Sequence, residues 1–268
     1  MKKFIMKAVS LALVGAMGFA FAGCSGKSQS SESSDASAAE EQFTIEKGKL
    51  VMATNAAFPP YEFYEGDKIV GIDAEIADAI AKKLGLELEI QDIEFDSIVT
   101  GVQAKKYDIG CAGMTVTEDR KQSVNFTSTY ATGIQAIIVK DGSEITDFDG
   151  LKAGTYHVGV QQGTTGDIYI SDELGDERVE RFNKGADAVL ALSNGQVDAV
   201  VIDNEPAKSF VAANSGLKIL ETPYAIEDYA MCVNKDNEVL LGKINGALDE
   251  LKKDGTLDAI VAKYIPAN

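Results

Sequence analysis

The sequence contains a single histidine, His157, at the start of a predicted strand. Zinc sites and nucleophilic triads commonly depend on histidine, so neither a His-based metal site nor a conventional triad has its parts. The glycine-rich residues 163–166 lack the Gly-Lys-Ser/Thr ending of a P-loop, which argues against a nucleotide. We therefore predict no catalytic residues, no metal and no cofactor.

Basic residues are also scarce. The chain has 25 Lys and Arg against 42 Asp and Glu, which gives a formal net charge of −17. Removing residues 1–23, which carry three Lys and no acid, lowers this charge to −20. Binding to nucleic acid requires a basic face, so we predict no nucleic-acid partner. The negative charge instead favours solubility outside the cell.

No apolar run in the sequence is long enough to span a bilayer. The longest candidate, residues 8–22, is too short, and it follows a positive start formed by Lys2, Lys3 and Lys7. This pattern is typical of a targeting segment, which we assign to residues 1–23.

The targeting segment ends in Phe21-Ala22-Gly23-Cys24-Ser25, which resembles a bacterial lipobox with Phe21 in place of the usual Leu. In that motif the Cys receives diacylglycerol. A cleaved secretory signal with an incidental Cys24 is the alternative. Residues 24–42 are rich in Ser, Ala and acids, so we expect a disordered tether. The predicted protein is extracytoplasmic and anchored to the cell membrane by a lipid on Cys24.

Two cysteines remain after Cys24 is assigned to lipid. Cys111 and Cys232 both lie in apolar, strand-like runs, so we expect two buried free thiols. A disulfide between them is the alternative in an oxidising compartment, because spacing does not give their geometry.

From residue 50 the chain alternates between strands and helices. Strands at 50–53 and 86–90 flank a helix capped by Asp73 and ended by Gly85, and a helix opened by Asp96 leads to a strand at 107–111. This βαβαβ order predicts a largely parallel sheet with helices on both faces.

The same alternation restarts after an extended run at residues 133–139. We predict strands at 158–161, 197–202 and 218–220, a helix that begins at Thr165, and helices at 186–192, stopped by Gly195, and 205–213. A second extended run at 229–233 precedes helices at 238–252 and 257–264. Two α/β units joined by two extended crossings predict two lobes hinged by a pair of strands.

The stretch from Gly113 to Tyr130 follows a predicted strand and opens a helix at Thr117. It places the hydroxyl of Thr115 near the guanidinium of Arg120, and an Arg side chain can hold both oxygens of a carboxylate. The order of small residue, x, Ser/Thr, x, Thr, x, x, Arg, followed by Phe-Thr and Tyr, resembles the signature of the family 3 solute-binding proteins. These are the polar amino-acid receptors of ABC importers, and the resemblance extends over residues 50–265.

The resemblance implies a two-lobed periplasmic-binding-protein-like fold of type II, with two parallel-rich sheets. It places residues 43–133 and 229–268 in lobe 1, and residues 134–228 in lobe 2 with the hinge strands. It also implies a monomer whose partners are a small L-amino acid and an ABC permease in the membrane.

The resemblance assigns roles to residues that follow the predicted strands, where ligands of open α/β sheets bind. The α-carboxylate of the ligand is assigned to Arg120, Thr115 and, from the opposite lobe, Thr165. The α-ammonium is assigned to Asp203 and the carbonyl of Gly113. The remaining assignments are Phe58, which packs on the ligand side chain, and Asn55 and Gln161, which tune side-chain choice.

Each of these positions has a structural alternative. Phe58 could anchor a loop beside two prolines, Asp203 could cap a helix, and Gln161 could contribute only its backbone. Glu62 and Glu65 near Phe58 could favour a basic ligand side chain, although a solvated acidic loop is the interpretation that we prefer.

The predicted function is to capture a polar L-amino acid by hinge closure and to deliver it to an ABC permease. No second base stands near the predicted cleft, so the ligand side chain is predicted to be neutral polar or basic. The alternatives are an enzyme of the same fold, similar to cyclohexadienyl dehydratase, or an amino-acid-binding sensor or adhesin.

Overall fold

The computed structural model of the protein describes residues 42–220 and 224–266. The predictions for the targeting segment, for Cys24 and for most of the tether therefore lie outside the described residues. Within the described ranges, no helix combines the length and the apolar character that crossing a membrane requires.

Strands and helices alternate along the described chain. The strands are β1 (Lys49–Thr54), β2 (Ala57–Phe58), β3 (Glu62–Glu65), β4 (Lys68–Val70), β5 (Glu87–Asp92), β6 (Ile109–Gly110), β7 (Val124–Phe126), β8 (Ala131–Lys140), β9 (Val158–Gln161), β10 (Val179–Phe182), β11 (Ala199–Asp203), β12 (Leu217–Ile219), β13 (Ala225–Tyr229) and β14 (Cys232–Asn234). The helices are α1 (Ile72–Lys83), α2 (Ile98–Gln103), α3 (Glu118–Ser123), α4 (Phe148–Ala153), α5 (Thr165–Leu174), α6 (Gly185–Asn194), α7 (Asn204–Ala213), α8 (Glu238–Lys253) and α9 (Thr256–Tyr264).

Lobe 1 is built on a sheet with the strand order β5-β1-β6-β14-β7. β1 pairs in parallel with β5 and β6, whereas β14 pairs antiparallel with β6 and β7. Leu50 and Met52 of β1 pack with Ile76 of α1, and Ala53 belongs to a second cluster with Ile98 of α2. Successive side chains of a strand point to opposite faces, so helices cover both faces of this sheet, as predicted.

Lobe 2 is built on a sheet with the order β10-β9-β11-β8-β12, in which β13 also pairs with β8. β9 runs parallel to β10 and β11, and β8 runs antiparallel to β11, β12 and β13. Val158 and Val160 pack with Ile170 of α5, whereas Val200 belongs to the cluster of Leu192 on α6. The fold is thus mixed α/β, with three parallel strands on one side of each sheet and antiparallel pairing on the other.

The chain crosses between the two sheets twice. It leaves the first sheet after β7 and enters β8, and it returns between β13 and β14. The two crossings are hydrogen-bonded to each other: the N–H of Tyr130 donates to the carbonyl of Tyr229, and the N–H of Thr127 donates to that of Met231, both at 3.0 Å. The predicted extended run at 229–233 falls on this second crossing, but it belongs to two strands: β13 ends its pairing with β8 at Tyr229, and β14 begins to pair with β6 and β7 at Cys232.

The predicted start of α1 is also wrong. The helix begins at Ile72, and Gly71 is its N-cap without a side-chain hydrogen bond. Asp73 lies inside the first turn and is fully buried. Its Oδ2 accepts hydrogen bonds from the N–H of Gly113 and the hydroxyl of Tyr130, both at 2.7 Å. Asp73 therefore joins α1 to the stretch that carries the family signature.

Other local predictions are confirmed. Thr117 caps α3 by accepting a hydrogen bond from the N–H of Arg120, and α6 ends at Gly195 in the left-handed conformation. Cys111 and Cys232 are buried and free, as expected. The predicted helix opened by Asp96 is present but begins earlier: a 3₁₀ turn, Phe95–Ser97, has Glu94 as its N-cap and leads directly into α2, so Asp96 lies inside the turn.

The sequence prediction lacks several short elements. These are β7, β10, α4 and the small antiparallel sheet formed by β2, β3 and β4. Each is six residues long or less, so its periodicity is too brief to recognise. The small sheet matters most here, because β3 begins with Glu62.

Gly71 fixes the small sheet against α1. Its φ is +122°, and a Cβ at this position would lie 2.2 Å from the carbonyl oxygen of Tyr61. We expect Gly71→Ala to lower the free energy of unfolding by at least about 1–3 kcal/mol through backbone strain alone. The measurement is urea-induced unfolding followed by circular dichroism.

Gly242→Ala is the matched control. Gly242 lies in α8 with nothing within 4 Å of its added Cβ, so this variant should gain up to about 1 kcal/mol. An unchanged unfolding midpoint in Gly71→Ala would contradict the role assigned to Gly71.

Candidate ligand-binding site

A cavity lies between the two lobes. Seven of the eight predicted ligand-binding residues line it, and they come from both lobes: Asn55, Phe58, Gly113, Thr115, Arg120, Gln161 and Thr165. The structure therefore brings these seven together, and it leaves Asp203 outside the lining.

Arg120 projects its guanidinium from α3 into the cavity. Its Nη1 donates to the carbonyl of Thr115 at 2.7 Å, and its Nη2 donates to the carbonyl of Gly163 in lobe 2 at 3.0 Å. Its Cζ lies 5.4 Å from the ring centroid of Phe95. Burial lowers the pKa of Arg120, and the charge of Glu227 acts against this effect. Within the described residues the guanidinium forms no ion pair, so its charge is available to a ligand.

The hydroxyls of Thr115 and Thr165 meet across the cleft at 3.3 Å. Thr115 also donates to Oε2 of Glu227 at 3.1 Å, and Nε2 of Gln135 donates to the same oxygen at 2.9 Å. Both residues are buried and line the same cavity as Arg120.

Asn55 and Gln161 form a further contact between the lobes. Nε2 of Gln161 donates to Oδ1 of Asn55 at 2.9 Å, and Nδ2 of Asn55 donates to the carbonyl of Ile93 at 2.8 Å. The side chain of Gln161 thus lines the cavity and ties the two lobes together.

Phe58 presents its ring to the cavity and stacks on Tyr61, with ring centroids 5.9 Å apart. Gly113 approaches this ring so closely that an added Cβ would lie 3.0 Å from it, and Gly113 has a φ of +51°. A side chain at residue 113 would therefore press on the ring of Phe58 and reduce the space in the cavity. Phe58 is both a packed loop residue and a wall of the cavity, so the two interpretations of this residue are compatible.

Asp203 is buried behind the cavity. Its Oδ1 accepts from the N–H of Glu205 and caps α7, which is the structural alternative that the sequence leaves open. Its Oδ2 accepts from the N–H of Ile134 at 3.0 Å and from the hydroxyl of Tyr229 at 2.5 Å. Burial raises the pKa of Asp203 to about 7, although these hydrogen bonds lower it. Tyr229 itself lines the cavity and separates Asp203 from it.

Glu62 lines the cavity, which the preferred interpretation of a solvated acidic loop does not anticipate. Only 1% of Glu62 is exposed, whereas Glu65 of the same strand is exposed. The two acids differ because β3 is a strand that packs its first residue inward. A strand that begins after Pro59 and Pro60 is the sequence signal that would have distinguished the buried Glu62 from the exposed Glu65.

Gln135 and Glu227 are the other polar residues that the sequence prediction lacks. They lie on β8 and β13, which pair with each other, and both are buried. Gln135 is the one polar side chain in the apolar run at residues 133–139, and a polar residue within such a run is itself a signal of a site. Glu227 becomes visible only when the pairing of β13 with β8 is known.

The lobes also touch at the rim of the cavity. Nε2 of Gln162 in lobe 2 donates to Oδ2 of Asp96 in lobe 1 at 2.6 Å, and this pair is exposed. Together with the contacts of Arg120, Thr115 and Asn55, it closes the two lobes around the cavity.

Comparison with known proteins identifies the family to which this architecture belongs. The family "Bacterial extracellular solute-binding proteins, family 3" matches residues 50–267. The arginine-binding extracellular protein ArtP of Bacillus subtilis is 34% identical, with 98% of each chain covered. The ABC transporter arginine-binding protein 1 of Escherichia coli is 30% identical over 81% of this chain and 91% of its own.

Solved structures agree with this result. An ancestral arginine-binding protein bound to glutamine is 41% identical, with a TM-score of 0.78, over 83% of this chain and 100% of its own. These relatives are binding proteins that recognise amino acids, and those named from living species are extracellular or serve ABC transporters. The chain is accordingly a binding protein rather than an enzyme, and it belongs to the bacterial extracellular solute-binding proteins of family 3.

Proposed function

We propose that this protein captures a neutral polar or basic L-amino acid between its lobes and delivers it to the permease of an ABC importer. The observation that carries the proposal is the guanidinium of Arg120. It reaches the cavity from lobe 1, touches the backbone of lobe 2, and forms no ion pair among the described residues. A charge in this position is best matched by a carboxylate of the ligand.

The remaining contacts follow from that anchor. The hydroxyl of Thr165 would donate to the same carboxylate from lobe 2, and that of Thr115 would do so from lobe 1 by turning its single O–H away from Glu227. The α-ammonium would then face the carbonyl of Gly113 and the ring edge of Tyr229. Asp203 would act on the ammonium through the field of its carboxylate, since the hydroxyl of Tyr229 already donates to it.

The side-chain class follows from the charges that line the cavity. Arg120 is the one cationic residue among the described residues of the lining, and it is used by the α-carboxylate. An acidic ligand side chain would have no second base, whereas a basic one would find Glu62. The relatives named for arginine and the ancestral protein bound to glutamine support the same two classes.

This proposal is tested by measuring the thermal unfolding of the protein in the presence of each amino acid of a panel of single L-amino acids. The protein is first unfolded and refolded to remove any ligand carried through purification. A ligand at about a thousand times its dissociation constant should add about 4 kcal/mol of stability. We expect large shifts with basic and neutral polar amino acids and none with aspartate or glutamate. A panel without any shift would contradict the proposal.

Arg120→Ala should weaken binding of every amino acid by at least about 30-fold, because it leaves the α-carboxylate without its charged partner. Arg178→Ala is the matched control. Arg178 also donates to backbone carbonyls, those of Tyr156, Lys152 and Leu151, but it does not line the cavity. Equal affinities in the two variants would show that Arg120 does not contribute to ligand binding.

Closure of the lobes around the ligand is the proposed mechanism. Contacts between lobes that exist only in the closed form stabilise that form and therefore strengthen binding of any ligand. Gln162→Ala removes the hydrogen bond to Asp96 at the rim without touching the cavity lining.

We expect Gln162→Ala to weaken binding of all ligands by the same factor, about 2- to 10-fold, measured by isothermal titration calorimetry. Gln122→Ala is the control, since Gln122 bonds only to Asp119 of its own helix. A loss that differs from one amino acid to another would instead place Gln162 in ligand recognition.

Delivery to a permease is aided if the receptor stays at the membrane. The lipobox-like sequence before Ser25 supports a lipid on Cys24. We expect Cys24→Ser to move the protein from the membrane fraction to the soluble fraction, as measured by fractionation and immunoblotting. Retention of the variant in the membrane fraction would contradict the anchor.

A further inference from the structure

Two carboxyl groups meet at the wall of the cavity. Glu62 begins β3 and lines the cavity, and Asp73 lies in the first turn of α1 directly behind it. Glu62 is 1% exposed and Asp73 is fully buried. Asp73 is held next to Glu62, because its backbone N–H donates to the carbonyl of Tyr61, the residue before Glu62, at 2.9 Å. Two neighbouring buried carboxyl groups repel each other when both are ionised, and one can hydrogen-bond the other only when it carries a proton, since a carboxylate has no donor.

One oxygen of each group has no donor from elsewhere. Oε2 of Glu62 and Oδ1 of Asp73 are buried and find no partner among the described residues when both groups are ionised. Neither carboxyl forms an ion pair with any Lys or Arg in that part of the chain. A single proton between them would give both oxygens a partner at once, because one group would then donate to the other.

The surroundings decide which group carries the proton. Oδ2 of Asp73 already accepts from the N–H of Gly113 and from the hydroxyl of Tyr130, and both contacts favour its ionised form. Burial raises the pKa of Asp73, but these two hydrogen bonds oppose the rise. Burial, followed by the charge of Asp73, raises the pKa of Glu62 well above its usual range. The proton therefore belongs on Glu62.

Every other titratable group that faces this pair favours the same state. Asp92 at the end of β5 and Asp203 at the end of β11 add negative charge. Tyr61, Tyr130 and Cys111 are neutral, since burial raises the pKa of each side chain above its usual range. Arg120 lines the same cavity, and its charge is directed to the carbonyls of Thr115 and Gly163.

We propose that Glu62 holds a proton shared with Asp73 in the ligand-free protein and gives it up to solvent when a cationic ligand side chain enters the cavity. A guanidinium or ammonium replaces the proton as the positive partner of Glu62. A neutral side chain leaves the proton in place. Capture of a basic amino acid is thus coupled to the release of one proton, and capture of a neutral one is not. This inference rests on the proposed function.

The coupling has a definite sign. Below the raised pKa of Glu62, the proton must leave before the cation can pair, so affinity for a basic amino acid rises with pH. The slope is up to about tenfold per pH unit for one released proton, and it vanishes above that pKa. Selectivity for basic over neutral side chains therefore increases with pH.

Arginine and citrulline are the matched pair of probes, because citrulline has nearly the same shape without the charge. The full chain is titrated with each by isothermal calorimetry in phosphate and in Tris at neutral pH. The difference between the two buffers gives the number of protons released. We expect arginine to release about one proton more than citrulline. Protons released by the α-carboxylate and α-ammonium groups of the ligand, or by Asp203, cancel in this comparison, because they are the same for both ligands.

Two variants locate the proton. Glu62→Gln should abolish the difference between arginine and citrulline and weaken arginine selectively. Glu65→Gln, which removes an exposed acid from the same strand, should behave as the unaltered chain does. As a measurement independent of affinity, the infrared absorption of protonated carboxyl groups in the ligand-free chain should be weaker in Glu62→Gln, and arginine should reduce it in the unaltered chain more than citrulline does.

The outcomes separate the two proposals. Equal proton release by arginine and citrulline, with arginine bound, would overturn the shared proton and leave the proposed function intact. If the infrared absorption of protonated carboxyl groups is absent from the ligand-free chain, the shared proton is likewise overturned and the proposed function is left intact. Binding of neither probe, nor of any other amino acid, would overturn the proposed function and this inference with it.

Discussion

The site depends on one cation that is shared by two lobes. The guanidinium of Arg120 joins the carbonyl of Thr115 in lobe 1 to that of Gly163 in lobe 2, and it still has its positive charge to offer. Carbonyl groups orient a guanidinium without neutralising it. The arrangement therefore keeps a net charge in a partly buried cleft, where an anion gains more from it than it would in water. The hydroxyls of Thr115 and Thr165 and the ring of Phe95 are all placed around this group.

A related constraint applies to three buried acids in and behind the cavity wall. Glu62, Asp73 and Asp203 are buried, and none is paired with a cation in the described residues. Isolated buried carboxylates are unfavourable, so such groups are kept by hydrogen bonds or by protonation until a ligand arrives. Asp203 uses three hydrogen bonds for this purpose, whereas Asp73 uses two and the neighbouring Glu62. Asp203 is 1% exposed, and this burial raises its pKa to about 7.

The sequence predicts the local part of the site and not the part made by tertiary pairing. Arg120 and Thr115 follow from a strand, a cap at Thr117 and a motif within eight residues, so local chemistry suffices. Glu62 depends on a strand of four residues that packs its first side chain inward, and short strands carry little periodicity. Glu227 depends on the register between β13 and β8, which no local pattern encodes. Asp73 looks like a helix cap in the sequence, but Gly71 starts the helix earlier.

The two crossings between the sheets carry ligand-facing side chains as well as the backbone. Gln135 lies near the start of β8, and Tyr229 ends β13 immediately before the chain returns to lobe 1. The N–H of Tyr130 ties the first crossing to the carbonyl of Tyr229 in the second. If the lobes turn about these crossings, as we propose, a ligand side chain that contacts Tyr229 would act directly on the segments about which the lobes turn. The shape of the ligand and the angle between the lobes would then depend on each other, and the contact at the distant rim would respond to both.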